Sequence, residues 1–343
     1  MSTPAAAPGG RGREEEIRLL YRHLLMREPG EEELAHWCGE AERKDLPFAQ
    51  LFRLFAGSKE HANRRGVAPG FAPGDPRSPV VDPAEVAQRL RVDRRVPPDR
   101  LAGLDLSEEV FLATFDRLRP FVGAVRFAAK AGGTTRYHFE NGMYPLGDAI
   151  ALAAFMGLSR PRRIVEIGSG LSTAAMLDAI DRHGLDTRIT CIEPYPDRLR
   201  AQLRPGDERR VEIFEAKVQE TDPGLCEALE AGDILFIDST HVMKTGSDVC
   251  FELFELLPRL APGVLVHVHD IHYPFEYPET WILERRYSWN EVYALRAFLS
   301  YNRRFRVIYM TSWLGLRHRV ALETAYGGPV QNVGACVWMT VEP

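Results

Sequence analysis

Two groups of side chains in this sequence have types and spacings suited to chemistry. The first is Glu166-Ile-Gly168-Ser169-Gly170-Leu-Ser172-Thr173, joined by Glu193 some twenty residues on. Gly168 and Gly170 let the backbone turn sharply and approach a ligand, and Ser172 or Thr173 can cap a following helix. A dinucleotide fingerprint would want a third glycine at position 173, where the chain has Thr. It would also bring a pyrophosphate to the helix N-terminus, beside an unwelcome Glu166. A cationic ligand suits Glu166 better, and S-adenosylmethionine carries both an ammonium and a sulfonium. The second group is Asp238 with His241 three residues later, and His269-Asp270. Two carboxylates and an imidazole brought together can hold a divalent cation, and an imidazole nearby can take a proton from a hydroxyl under attack.

These residues need a scaffold that brings them to one edge, and the pattern supplies it. From about residue 160, β-rich runs alternate with helical spacing: Arg163–Ile167, Arg188–Ile192, Val211–Glu215, Asp233–Asp238, Val264–His269, Arg304–Met310 and Ala335–Thr340. Helices are predicted at Thr173–Ile180, Ser247–Leu260 and Trp289–Tyr301. Such alternation makes parallel strands joined by right-handed crossovers, so the fold class is α/β, a doubly wound, mostly parallel seven-stranded sheet. The last two runs flank an irregular segment, Thr311–Val333, which predicts a closing antiparallel edge pair. Ligands in such sheets sit beyond the carboxyl ends of the strands. Glu193 ends the second strand, where a carboxylate can accept both ribose hydroxyls, and Gln219 follows the third, where an adenine edge would lie. Asp238 and His269-Asp270 end the neighbouring fourth and fifth. The segment Ile271–Trp289 holds six aromatic residues, enough for a lid that stacks on an acceptor. Tyr137, Asn141 and Tyr144 precede the sheet and suit its roof. His267 reads as a packed strand residue, and His272 as an open candidate for substrate or metal contact.

The N-terminal third differs. Residues 1–12 read as a disordered tail, 13–65 as a small helical bundle, 66–82 as a Pro/Gly linker, 83–135 as a helical extension and 136–343 as the α/β domain. The linker carries seven Gly or Pro in the fourteen residues 66–79. Helix starts are predicted at Pro83 with Asp82 as cap, running to Leu90, and at Ser107 before Glu108 and Glu109. Hydrophobic residues make up 45% and charged residues 27%, which excludes wholesale disorder. The net charge of −5 offers no basic excess for nucleic acid. Five scattered cysteines without a C-x-x-C pair read as reduced thiols in a cytoplasmic protein. No apolar run suits a membrane span or a signal peptide.

Residues 137–340 resemble class I S-adenosylmethionine-dependent methyltransferases. The likeness is to the bacterial family related to macrocin-type O-methyltransferases and cephalosporin-hydroxylase-like proteins. It is carried by Glu166-Ile-Gly-Ser-Gly-Leu-Ser-Thr, Phe236-Ile-Asp-Ser-Thr-His-Val-Met-Lys-Thr-Gly-Ser-Asp, His269-Asp-Ile-x-Tyr-Pro-Phe-Glu-Tyr-Pro and Trp289-Asn-Glu. The resemblance implies that Glu166, Gly168, Ser169, Gly170, Ser172, Thr173, Glu193, Gln219 and Asp238 bind S-adenosyl-L-methionine. It implies Asp238 and Asp270 as metal ligands and His241 as base. Relatives have an acidic residue at the position of His269, so His269 is the third candidate ligand and a candidate catalytic group. Imidazole there shifts the choice of metal from Mg toward Mn, Fe or Zn. Residues 15–62, with Leu20-Tyr-Arg and Arg27-Glu-Pro before a Trp-bearing helix, resemble a small bacterial helical module that implies docking or packing. The expected acceptor is a hydroxyl of a small molecule or glycan. Methylation of a peptide nitrogen or carboxylate, and a non-catalytic cofactor-fold binder, are the alternatives. A homodimer is compatible with the chain, and neither nucleic acid nor membrane is an expected partner.

Overall fold

The computed structural model of the chain describes residues 10–25, 27–60, 75, 78–84, 86–87, 100–124 and 126–343. The expected tail lies outside the described residues through residue 9, as do 66–74, 76 and 77 of the expected linker and 85 and 88–90 of the helix capped by Asp82. The Asp82 carboxylate accepts from Ala84 N–H at 2.8 Å. The chain forms two compact units, Met1–Glu85 and Val86–Pro343.

In the first unit, α1 (Gly10–Leu24), α2 (Glu31–Arg43) and α3 (Phe48–Ala56) enclose a small core of their own. Ile17, Leu20, Tyr21 and Leu25 are buried from α1 and its end, against Leu34, Leu51 and Phe55. Arg27 fixes the first turn. Its guanidinium makes paired hydrogen bonds of 2.6 Å to both Glu33 oxygens, donates to Glu60 at 2.6 Å and lies 4.8 Å from the Tyr21 ring centroid. His23 and His36 are exposed helix residues.

The second unit is built on one sheet. Its strands are β1 (Arg163–Ile167), β2 (Arg188–Ile192), β3 (Val211–Phe214), β4 (Ile234–Ile237), β5 (Leu265–Val268), β6 (Phe305–Met310) and β7 (Val337–Val341). The order is β3-β2-β1-β4-β5-β7-β6. The first five pair in parallel, and β7 is antiparallel to both β5 and β6, giving the expected closing pair. Helices α4 (Glu108–Val122), α5 (Leu146–Ser159), α6 (Leu171–His183), α7 (Glu291–Leu299), α8 (Thr311–Arg317) and α9 (Arg319–Tyr326) are its principal helices. Ser107 caps α4, its hydroxyl accepting from Val110 N–H at 3.3 Å. Helix α5 is apolar almost all round, as a helix buried on every side must be, and its interior holds one carboxylate, Asp148.

Two predicted elements are corrected. The segment Thr311–Val333 is not irregular throughout, because α8 and α9 occupy Thr311–Arg317 and Arg319–Tyr326. A break at His318, whose N–H closes the last turn of α8, hides them from a single-period reading. The predicted helix Ser247–Leu260 is broken: one α-turn (Asp248–Phe251) widens to a π-turn (Glu252–Leu256), and then tightens to 3₁₀ at Leu257–Arg259. Pro258, which has no N–H to donate, sits in that last turn.

Among the described residues no helix is long and apolar enough to cross a membrane.

Candidate functional site

Strand register places the site. Ile167 pairs with Ile192 and Ile237, and Ile237 pairs with Val268. The residues that follow these strands, Gly168, Glu193, Asp238 and His269, therefore stand in one row along the carboxyl rim. They line a cavity of about 310 Å³ with Ser169, Gly170, Ser172, His241, Asp270 and Trp289. Only glycine fits at 168. Its φ is +78°, and a Cβ there would lie 1.8 Å from Asp238 O. Glu193 stretches across the turn, one oxygen accepting from Ser169 N–H at 3.1 Å and the other from Tyr195 N–H at 2.8 Å. A carboxylate oxygen has further lone pairs, so both remain able to accept ribose hydroxyls.

Asp238, His241 and Asp270 form a tight group. One ligand atom from each lies within 4.8 Å of the others, a donor set of two carboxylates and one imidazole suited to a divalent cation. His241 Nε2 faces Asp238 Oδ1 at 3.4 Å and Asp270 Oδ2 at 3.6 Å, and its Nδ1 lies 2.7 Å from Glu291 Oε2. Both His241 and Asp270 are left-handed, with φ of +61° and +56°, conformations that residues with a β-carbon adopt only where their surroundings enforce them. Burial would lower the His241 pKa, but the Asp238 and Glu291 carboxylates win and push it up to about 10. Burial would raise Asp238, yet the adjacent imidazoles hold it well below the usual carboxylate range. Asp270 is raised, chiefly by burial.

His269 takes a different place. It is fully buried, with Nε2 facing Asp148 Oδ2 at 3.2 Å and Nδ1 facing Asp238 Oδ1 at 3.2 Å. Burial opposes its protonation, but Asp270, Asp238 and Asp148 outweigh it and raise its pKa well above that of free histidine. Asp148 is itself held low against burial by His269, and also accepts from Ala335 N–H at 2.9 Å and Thr311 Oγ1 at 3.0 Å. His269 thus stands with carboxylates at both of its nitrogens.

A second cavity, about 580 Å³, adjoins the first and shares Met143, Tyr144, Asp270 and Trp289 with it. Its walls include Phe139, Asn141, His272, Trp281, Arg285 and Tyr287. The aromatic residues of 273–289 pack on each other, Trp281 on Trp289 at 5.4 Å and Tyr287 on Trp289 at 4.5 Å between ring centroids.

The model of a family described as a methyltransferase domain matches residues 165–271, the span from β1 to the end of the Asp238–Asp270 site. Residues 165–271 therefore form a methyltransferase domain. An uncharacterized protein of Archaeoglobus fulgidus is 33% identical over 171 residues, 48% of this chain and 76% of that protein. A methyltransferase from Geobacter sulfurreducens and a Podospora anserina methyltransferase with S-adenosylhomocysteine bound align at 18% and 16% identity, with TM-scores of 0.35 and 0.39. Those alignments cover 77% and 70% of this chain and 99% and 98% of theirs.

Within the methyltransferase site, Gly168, Ser169, Gly170, Ser172, Glu193 and Asp238 lie together on the cofactor cavity. Three expectations for that cavity are corrected. Glu166 is fully buried below it, accepting from Ser172 Oγ at 2.6 Å, Thr173 Oγ1 at 2.5 Å and Cys191 Sγ at 3.3 Å. Burial pushes its pKa up to about 7, so it braces the turn rather than meeting a cation at the rim. Thr173, also fully buried, accepts from Gly170 N–H at 3.2 Å and locks the helix start. Gln219 is spent on Gly246 O at 2.9 Å and does not line the cavity. Of the metal and catalytic candidates, His241 lies with Asp238 and Asp270, and His269 Nδ1 lies 3.2 Å from Asp238 Oδ1 and 3.6 Å from Asp270 Oδ1, with Asp148 at its Nε2. Sequence reasoning missed Asp148, Arg198 and Glu291. Arg198 lines the cavity beside Gly170. His267 is fully buried against the Phe236 ring at 4.1 Å, and His272 lines the second cavity. Asn141 shapes the roof through its side chain, which accepts from Tyr144 N–H and donates to Tyr144 O.

Proposed function

We propose that this methyltransferase transfers a methyl group to a hydroxyl of a small molecule or glycan held in the second cavity. The observation that carries the reading is the junction of the two cavities. Asp270 and Trp289 border both, and Asp238 and His241 stand beside them on the cofactor side. An alkyl hydroxyl is a poor nucleophile at neutral pH, whereas an amine needs no such group of acids and imidazole beside it. S-adenosylmethionine supplies an electrophilic methyl group on a positively charged sulfur. A divalent cation, if held by Asp238 and Asp270 with His269 beside them, would lower the pKa of an acceptor hydroxyl and offset the crowded carboxylates.

The chain's own residues do the rest. Gly168 and Glu193 seat the nucleoside end, and the aromatic walls of Trp281, Tyr287 and Trp289 stack on the acceptor ring and exclude water. His241 holds the proton at Nε2. In the chain alone it is a proton holder, because Asp238 and Glu291 raise it to about 10. A cation on Asp238 would withdraw one of those two causes and leave His241 able to accept a proton. His269, beside Asp238, favours the ionised form of that carboxylate.

The test is transfer of a radiolabelled methyl group from S-adenosylmethionine to a panel of hydroxylated sugars and phenols, with matched amines and peptides. Turnover on a hydroxyl, stopped by EDTA and restored by Mn²⁺ or Mg²⁺, is expected. His241→Ala should cost about 10²–10⁴-fold in kcat and leave S-adenosylhomocysteine affinity in place. Methylation confined to amines or peptides would overturn the reading.

A further inference from the structure

The segment Trp289-Asn290-Glu291, at the start of α7, surrounds His241 and the loop that carries it. The N–H groups of Asn290 and Glu291 both donate to His241 O, each at 3.1 Å. Asn290 Oδ1 accepts from Met243 N–H at 2.6 Å, and its Nδ2 donates to Met243 O at 3.2 Å. The Trp289 ring covers the imidazole with centroids 4.4 Å apart. Glu291 is buried, and its Oε2 lies 2.7 Å from His241 Nδ1. These contacts hold His241 at φ +61°, a conformation its β-carbon disfavours.

The ring itself has one feature that decides its orientation. Nε2 has Asp238 and Asp270 before it at 3.4 and 3.6 Å, while Nδ1 has, among the described residues, Glu291 alone. With that carboxylate gone, a half-turn of the ring about χ2, which exchanges Nδ1 with Cδ2 and Nε2 with Cε1, would turn a carbon toward the two aspartates with no contact at Nδ1 to oppose it.

We propose that Glu291 is a positioning residue for His241: it accepts the Nδ1 proton and so presents Nε2 to Asp238, Asp270 and the acceptor. The consequence for the reaction rests on the reading of His241 as the proton acceptor in methyl transfer. The orientation itself does not rest on it. An acid in the first turn of α7 could also act only through the helix dipole, in which case the histidine ring would be indifferent to it. Buried partners of functional histidines typically change activity or affinity by about 10–100-fold when removed.

The experiment is NMR of the full chain labelled with ¹⁵N-histidine. A slowly exchanging, downfield imidazole proton is expected, assigned to His241 Nδ1 by its loss in His241→Ala. Glu291→Gln should keep it, since a carboxamide oxygen accepts the same proton, and Glu291→Leu should abolish it. Should the leucine variant fail to fold, Glu291→Asp, whose carboxylate is withdrawn by one methylene, should shift the resonance upfield. The absence of such a proton in the natural chain, or its persistence unchanged in both the leucine and aspartate variants, overturns the proposal. Kinetics separate the two readings. Glu291→Leu should lower kcat about 10–100-fold with S-adenosylhomocysteine affinity within about twofold. If His241→Ala retained full turnover, His241 would not be the base, while the proton resonance would still decide what Glu291 does.

Discussion

At the scale of single residues, Glu166 shows how position within a strand decides a role. Its residue type at a glycine turn suggests a welcome for a cationic ligand. It lies two residues before Gly168, however, inside β1 and on a sheet face covered by α6, so its side chain meets Ser172, Thr173 and Cys191 instead of the rim. The carboxyl is held up at about 7 against an ordinary value of 4.5. Between those two values the native protein keeps a proton that the unfolded chain releases, so this group's contribution falls as pH rises through the window. The full loss above pH 7 is about 3 kcal/mol. Glu166→Gln should therefore gain stability over the natural chain at pH 8 and gain little at pH 5, as read by urea unfolding at both. Equal differences at the two pH values would contradict the burial account. Asp238, His241 and Asp270 were legible from sequence because each lies after a strand or in the loop beyond it, where the rim is. His269 was legible as a member of the row, whereas its pairing with Asp148 was not, since Asp148 is more than a hundred residues away in the sequence.

At the scale of elements, Asp148 joins what the pattern could not connect. Helix α5 supplies it, and its carboxylate takes the Ala335 N–H before β7, the Thr311 hydroxyl at the head of α8 and the imidazole after β5. Gly334 leaves it room, since a Cβ there would lie 2.0 Å from Asp148 Oδ1. The strands themselves were readable from β-branched runs to within a residue or two, and so was the antiparallel closure. Helices α8 and α9 were not, because a break at His318 splits them into pieces too short for a periodic signal. Asp148→Asn puts an amide donor where three groups converge on the carboxylate and leaves His269 Nε2 without its acid partner. It should cost about 3–5 kcal/mol in urea unfolding, with disrupted S-adenosylhomocysteine binding. A loss under about 1 kcal/mol would show that the three contacts are incidental.

At the scale of the whole molecule, the described residues form two apolar cores that do not share residues, one within α1–α3 and one around the sheet. The sheet unit has a core of its own, so removal of residues 1–85 should leave a cooperatively folding chain whose S-adenosylhomocysteine affinity is within about twofold of the full protein. A truncated chain that fails to unfold cooperatively would show that the sheet unit depends on the bundle. The most direct test of the account is a calorimetric titration of the full chain with S-adenosylhomocysteine, alongside Gly168→Ala and Glu193→Ala. One-to-one binding is predicted, weakened at least about tenfold in both variants, because a methyl group at 168 collides with Asp238 O and the loss of Glu193 removes the ribose acceptor. Absence of binding by the natural chain, or equal binding by all three, would contradict the placement of the cofactor at the β1–β2 rim.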